Sequence, residues 1–169
     1  MGFLTRKNRQ VVVIVCSANI TRSPYLAHKI KAELSKLELP EKKLPIIESA
    51  GMIATPGVSA HPVLLTVLRL RGDSLANHLS QPFDDEVAKR ADLVLTAEKR
   101  HAEEILKRYP ELQGRVMPLL AYGRDPGWTG DVDIPDPTGG EVEEYQQFLD
   151  LADAQAQRLR RLYTRNGGF

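Results

Sequence analysis

Five residues separate Cys16 from Arg22 in the stretch Cys16-Ser17-Ala18-Asn19-Ile20-Thr21-Arg22-Ser23-Pro24. A loop of that length can turn its backbone N–H groups onto one anion. A helix that begins directly after it adds the positive end of its dipole. The same donors favour a thiolate over a thiol at Cys16. Arg22 brings a planar fork that holds two oxygens of a phosphate at once. Asn19 is a residue type that tolerates the left-handed backbone such a cradle needs. Thiolate, oxyanion cradle and arginine are together the parts of a phosphoryl-transfer site.

Attack of sulfur on phosphorus needs an acid to protonate the leaving oxygen. Asp131, Asp133 and Asp136 all lie in the stretch from Tyr122 to Gly140, which is rich in proline and glycine, and Asp136 stands between Pro135 and Pro137. Two flanking prolines aim a carboxyl stiffly. Each feature also has a plainer use. A cysteine at a strand end is often core, and Asp-Pro often only shapes a turn. Their combination favours chemistry, with the Cys/Arg stretch set between an apolar strand and a Ser-Pro helix start.

Those residues need a scaffold. Val11-Val12-Val13-Ile14-Val15 is a continuous β-branched run, as in a strand buried on both faces of a parallel sheet. Ser23-Pro24 reads as an N-cap and first helical residue of a helix from Pro24 to Lys36. Leu44–Ser49 reads as a second strand. His61–Leu70 reads as an apolar helix capped by Ser59 and ended by Arg71-Gly72. Asp92–Thr96 is a third strand, Glu98–Arg108 a helix and Val116–Leu119 a short fourth strand. The stretch 122–140 is a long loop of the kind that is usually functional. In the last helix, Glu141 to Tyr163, spacings of three and four put Tyr145, Phe148, Leu149, Ala152, Ala156, Leu159 and Leu162 on one face. Strands alternating with helices predict one α/β domain over 1–169, a three-layer arrangement with a four-stranded parallel sheet and helices on both faces. Ligands of such sheets sit at the carboxyl ends of strands, which points at residues 16–23.

Composition narrows the function classes. The 169 residues hold 23 Lys and Arg against 22 Asp and Glu, so no net basic field draws in nucleic acid. Lys89-Arg90, Lys99-Arg100 and Arg158-Arg160-Arg161 read as solvated helix surfaces. A single cysteine excludes an internal disulfide, a four-cysteine zinc site and a two-cysteine relay. His28, His61, His78 and His101 are scattered without ligand spacing, so no metal is expected; His78 is placed behind the active-site loops. No apolar run approaches the roughly 18 residues needed to cross a membrane. Arg6, Lys7 and Arg9 precede an apolar run too short for a signal peptide, and Thr5 is one position early for myristoylation after Met1-Gly2. A soluble cytoplasmic protein is expected.

The sequence resembles the low-molecular-weight protein tyrosine phosphatase family. The likeness runs from the first strand through C-x5-R-S-P, Ser49-Ala50-Gly51, His78, Ala91-Asp92-Leu93-Val94-Leu95 and Asp136-Pro137, nearly the whole chain. It implies a cofactor-free hydrolysis through a cysteinyl-phosphate. By the same likeness Cys16 is the nucleophile, Arg22 clamps phosphate, Ser23 steadies the thiolate and Asn19 shapes the loop. Asp136 is the acid of the first step and the base of the second. Ser17, Ala18, Ile20 and Thr21 complete the phosphate-binding loop. Asn77–Pro82 and Asp133–Pro137 look closest to the bacterial branch that includes protein arginine phosphatases.

Departures from the family pattern matter. Ala18 replaces the usual glycine and is tolerable only at negative φ or where the position absorbs some strain. Thr21 replaces the frequent second loop cysteine, so no protecting disulfide can form and peroxide should inactivate the enzyme. Ala54, Thr55 and Thr138-Gly139 stand where tyrosine-specific members carry aromatics, whereas Ile20 is the aliphatic residue such members use and the arginine branch replaces with threonine. Tyr25, Tyr122 and Trp128 read as packing residues more readily than as a substitute aromatic wall. The expected activity is hydrolysis of phosphotyrosine on proteins by a monomer, without nucleic-acid or membrane partners. Protein arginine phosphatase is the alternative, and a non-catalytic phosphate-binding module is the rival from another class.

Overall fold

A computed structural model describes residues 9–169; Met1-Gly2, Arg6 and Lys7 lie outside the described residues. Strand β1 spans Val11–Cys16 and pairs in parallel with β2 (Ile46–Gly51) on one side and β3 (Leu93–Thr96) on the other. The short β4 (Val116–Pro118) adds to β3, giving the sheet order β2-β1-β3-β4. Being central, β1 is covered on both faces, which its unbroken β-branched run requires. Alternate side chains part between the faces. Val12, Ile14 and Cys16 join one core cluster, and Val13 and Val15 join the other.

The helices divide in the same way. Helices α1 (Arg22–Ser35), α2 (Pro62–Leu70) and α5 (Val142–Asn166) carry Leu26, Leu64, Tyr145, Leu149 and Leu159 into the first cluster. Helices α3 (Asp85–Arg90) and α4 (Lys99–Arg108) carry Val87, Ala88, Ala102 and Ile105 into the second. The result is the three-layer α/β domain with a four-stranded parallel sheet that the alternating pattern predicts. The chain leaves β1 toward β2 on one edge, then crosses to β3 and β4 on the other. The carboxyl ends of β1 and β3 therefore flank a topological switch point, where such sheets bind ligands.

Several boundaries depart from the sequence expectation for local reasons. Strand β2 begins after Pro45, which has no N–H for the ladder. Helix α1 begins at Arg22 with Thr21 at the N-cap, so Ser23 is not the cap; its hydroxyl faces Cys16 instead. Ser59 does not cap α2 either, because it bridges Leu79 and leaves His61 at the N-cap. Gly72, at φ +72°, ends that helix as expected. Helix α3 was not expected at all. Six residues are too few for a periodic signal, although Asp84 caps it by accepting from Val87 N at 3.0 Å. Arg158 is not a solvated cation, since its guanidinium donates to Tyr122 O at 2.6 Å and Leu119 O at 2.8 Å, tying the long loop to α5. Among the described residues, no helix is long and apolar enough to cross a membrane.

Candidate active site

Residues 16–21 leave β1 and wrap back into α1. The loop's carbonyls turn outward: Cys16 O and Ser17 O accept from Met52 N at 3.0 Å and Ile53 N at 2.9 Å, and Ile20 O accepts from His61 N at 2.8 Å. Asn19 O accepts from His78 Nε2 at 2.6 Å, which puts His78 behind the loop as expected and its ring proton on Nε2. Among the described residues, none of the N–H groups of residues 17–21 donates to a protein acceptor. Carbonyls tied outward and N–H groups left without a protein acceptor are what an anion cradle needs.

Two backbone positions make this turn possible. Asn19 is in the left-handed region at φ 56°, whereas Ala18 is not, so Ala18 meets the condition set for it. Gly51, at the end of β2, lies against the loop so closely that a Cβ there would come within 2.7 Å of Ser17 O and 2.8 Å of Asn19 N. Only glycine admits that approach. The Asn19 side chain then braces the turn, accepting from Gln81 N at 2.9 Å and donating to Ser23 Oγ at 2.8 Å and Ser49 Oγ at 2.9 Å.

Cys16 Sγ is buried and 3.0 Å from Ser23 Oγ. Asn19 already donates into that hydroxyl, so its single proton has two destinations, Sγ and Ala50 O at 3.2 Å. A charged sulfur is the stronger acceptor of the two.

Arg22 is 1% exposed although it carries a full charge. Its Nη1 is used twice, donating to Glu98 Oε1 at 2.6 Å and Ile134 O at 2.8 Å. Its Nη2 meets Asp136 Oδ2 at 2.9 Å and Ser17 Oγ at 3.4 Å. Its Nε is buried without a partner. A buried donor left unpaired costs free energy until an acceptor arrives, and an oxyanion in the loop is such an acceptor.

Glu98, directly after β3, was missed from sequence. Hydrogen bonds from Arg100 and then from Arg22 hold its carboxyl down at about 2, against the cost of burial. Its place at the end of β3, beside the switch point, was the available signal. Arg100, read as a solvated cation, also belongs here: it bonds Glu98 Oε2 at 2.6 Å and Ser17 Oγ at 3.1 Å.

The three loop carboxylates separate clearly. Asp131 Oδ1 accepts from Asp133 N at 3.0 Å, and Asp133 Oδ1 accepts from Lys99 N at 2.7 Å at the start of α4. Asp136 alone of the three faces Arg22. Ile134 N donates to Ala97 O at 2.8 Å and Thr138 Oγ1 to Thr21 Oγ1 at 3.0 Å, which pins the loop on both sides of Asp136. Tyr25 is core, with its hydroxyl on Asp153; Tyr122 packs on Phe169, and Trp128 lies under Arg124. At the mouth, Ile53 is instead 77% exposed.

Comparison with known proteins places the chain in a family. The Wzb low molecular weight protein-tyrosine-phosphatase of Escherichia coli K12 is 31% identical over 147 residues, covering 87% of this chain and 90% of that protein. The protein-arginine-phosphatase of Bacillus subtilis is 31% identical over 139 residues, covering 82% and 87%. A crystal structure of a YwlE mutant from Bacillus subtilis superposes with a TM-score of 0.80 at 27% identity, over 92% of this chain and 99% of that one. The model of the low molecular weight phosphotyrosine protein phosphatase family matches residues 11–166. An outward-carbonyl loop at the switch point, closed by a buried arginine, is thus carried by a chain that belongs to the low molecular weight phosphotyrosine protein phosphatase family.

Proposed function

We propose that the chain hydrolyses phosphotyrosine on proteins through a cysteinyl-phosphate. The observation that carries this reading is the convergence on one loop of Cys16 Sγ, five N–H groups without a protein acceptor and the Arg22 guanidinium, with Asp136 2.9 Å from Arg22 Nη2. The phosphate sits in the cradle formed by Ser17, Ala18, Asn19, Ile20, Thr21 and Ser23, with its charge met by Arg22 Nε and Nη2. The Cys16 thiolate attacks phosphorus, the P–O ester bond breaks, and the leaving oxygen takes a proton from Asp136. Water then attacks the same phosphorus and gives its proton to the Asp136 carboxylate. The P–S bond breaks and the thiolate is restored. The Ser23 hydroxyl stabilises that sulfur as it becomes the leaving group.

Ile20, whose aliphatic side chain can pack on an aromatic ring, supports tyrosine as the bearer of the phosphate. A second reading, hydrolysis of phosphoarginine, is favoured by the Bacillus subtilis relative and by the absence of an aromatic at Thr138-Gly139. A lone free thiol that must stay reduced suits the cytoplasm. Release of p-nitrophenol from its phosphate ester by the wild type but not by Cys16→Ser tests for the enzyme; turnover by neither means a phosphate-binding module. The ratio of kcat/KM on phosphotyrosine and phosphoarginine peptides of one sequence then decides the substrate.

A further inference from the structure

The Ser17 hydroxyl is a junction of three side chains. Arg22 Nη2 reaches its Oγ at 3.4 Å, Arg100 Nη2 at 3.1 Å and His101 Nε2 at 3.0 Å. A hydroxyl has two acceptor lone pairs and one proton, and guanidinium N–H groups only donate. Arg100, itself largely exposed, takes one lone pair, and Arg22, the longest of the three contacts, faces the other. The hydroxyl proton has one direction left, toward His101 Nε2, which must accept it. A neutral ring that accepts at Nε2 carries its own proton on Nδ1.

That tautomer has a cost. His101 is 1% exposed, and its Nδ1 is buried without a partner. A histidine that merely filled the core would be expected to pair both nitrogens or be replaced by an apolar ring. Burial, opposed by Glu98 and assisted by Arg100 and Arg22, also holds the ring neutral by pushing its pKa down to about 4.

We propose that His101 is a positioning residue of the phosphate-binding loop: it fixes the Ser17 hydroxyl so that its lone pairs hold the Arg22 guanidinium ready for the phosphate. This rests on the reading that the loop binds the substrate's phosphate, and adds to it what aims the arginine beforehand. With His101 gone, the hydroxyl rotates and can turn its proton toward the guanidinium. Arg22 Nη2 is then left to Asp136. Neither Cys16 nor Asp136 is substituted, and phosphate has to draw Arg22 from a tighter hold on Asp136 before it can bind, so the loss falls on phosphate binding more than on the chemical step.

Steady-state kinetics on p-nitrophenyl phosphate and calorimetric titration with inorganic phosphate test this with His101→Phe, His101→Gln and Ser17→Ala. His101→Phe and Ser17→Ala should each raise KM and the phosphate Kd roughly tenfold, the usual scale for one hydrogen bond to a charged group, while kcat changes less than about threefold. The double variant should add nothing further, since both changes break one linkage. His101→Gln, whose carbonyl oxygen can take the hydroxyl proton, should recover most of the loss. An unchanged phosphate Kd, a fall in kcat at constant KM, or an additive double variant overturns the inference. If His101→Phe does not fold, Ser17→Ala and His101→Gln still decide it. If the wild type does not hydrolyse the ester, the phosphatase reading fails, whereas the phosphate titration still judges this linkage.

Discussion

Arg22 Nη2 lies 2.9 Å from Asp136 Oδ2, across a separation of more than a hundred residues in the chain. The buried guanidinium thus forms an ion pair with the carboxylate proposed as general acid. On the proposed reading, a phosphate in the loop competes with Asp136 for the Arg22 guanidinium. Asp136→Asn should keep phosphate binding within a few-fold and lower kcat by roughly 100-fold or more, the scale of a lost general acid. Unchanged turnover would shift the role to water or another group, since Asp131 and Asp133 are engaged elsewhere.

Gly51 sets how closely β2 approaches the loop. Gly51→Ala places a methyl group against backbone atoms that cannot swing aside, so either the strand or the cradle must move. Stability should fall by about 1–3 kcal/mol, the usual cost of overpacking, and phosphate affinity should fall with it. Urea unfolding and phosphate titration read the two effects; intact affinity would mean that the strand yields and the loop does not.

Glu98 accepts from Arg22 and Arg100 together, and its removal leaves two guanidinium groups facing each other. Glu98→Gln keeps the size and one acceptor oxygen but loses the charge. A decrease in kcat/KM of roughly tenfold or more is expected on the scale of a lost charge-assisted hydrogen bond. Full activity in this variant would show that Ile134 O suffices to anchor Nη1.

His101 makes stability depend on pH with a definite sign. Its folded pKa is pushed down to about 4 from the ordinary 6.5, so between those values the unfolded chain binds a proton that the folded one refuses. Above pH 6.5 the group contributes nothing; as pH falls it destabilises the fold, by about 2 kcal/mol at pH 5. The difference in unfolding free energy between pH 7 and pH 5 should shrink by about that amount in His101→Gln. An equal difference in both proteins would mean that another group titrates there.

Cys16 has no second cysteine to form a protecting disulfide. Peroxide should inactivate the enzyme and, past the sulfenic acid, thiols should fail to restore it. Phosphate in the loop should slow the loss. Complete recovery with dithiothreitol after prolonged exposure would contradict this.

Sequence order was enough for whatever depends on neighbours in the chain. Cys16, Arg22 and Ser23 stand on one turn between an apolar strand and a helix start, so their closeness follows from chain order alone. The parallel sheet followed from unbroken β-branched runs alternating with amphipathic helices, because backbone pairing and burial impose those periods. Asp136 was singled out by its two prolines, a covalent restraint visible without a fold.

Tertiary structure decided what lies across the switch point. The place of Glu98 after β3 puts it near the switch point but does not mark it as the anchor of Arg22, and nothing near 100 or 101 separates a solvated cation or a core histidine from groups that meet at Ser17. Their roles come from β3 lying beside β1, a pairing of strands about eighty residues apart. The same pairing separates Asp136 from Asp131 and Asp133, since Ile134 docks on Ala97 and leaves only one of the three carboxylates facing the arginine. Charge and hydrogen-bonding capacity are properties of a residue, but a buried guanidinium is satisfied only by the groups that the fold brings to it.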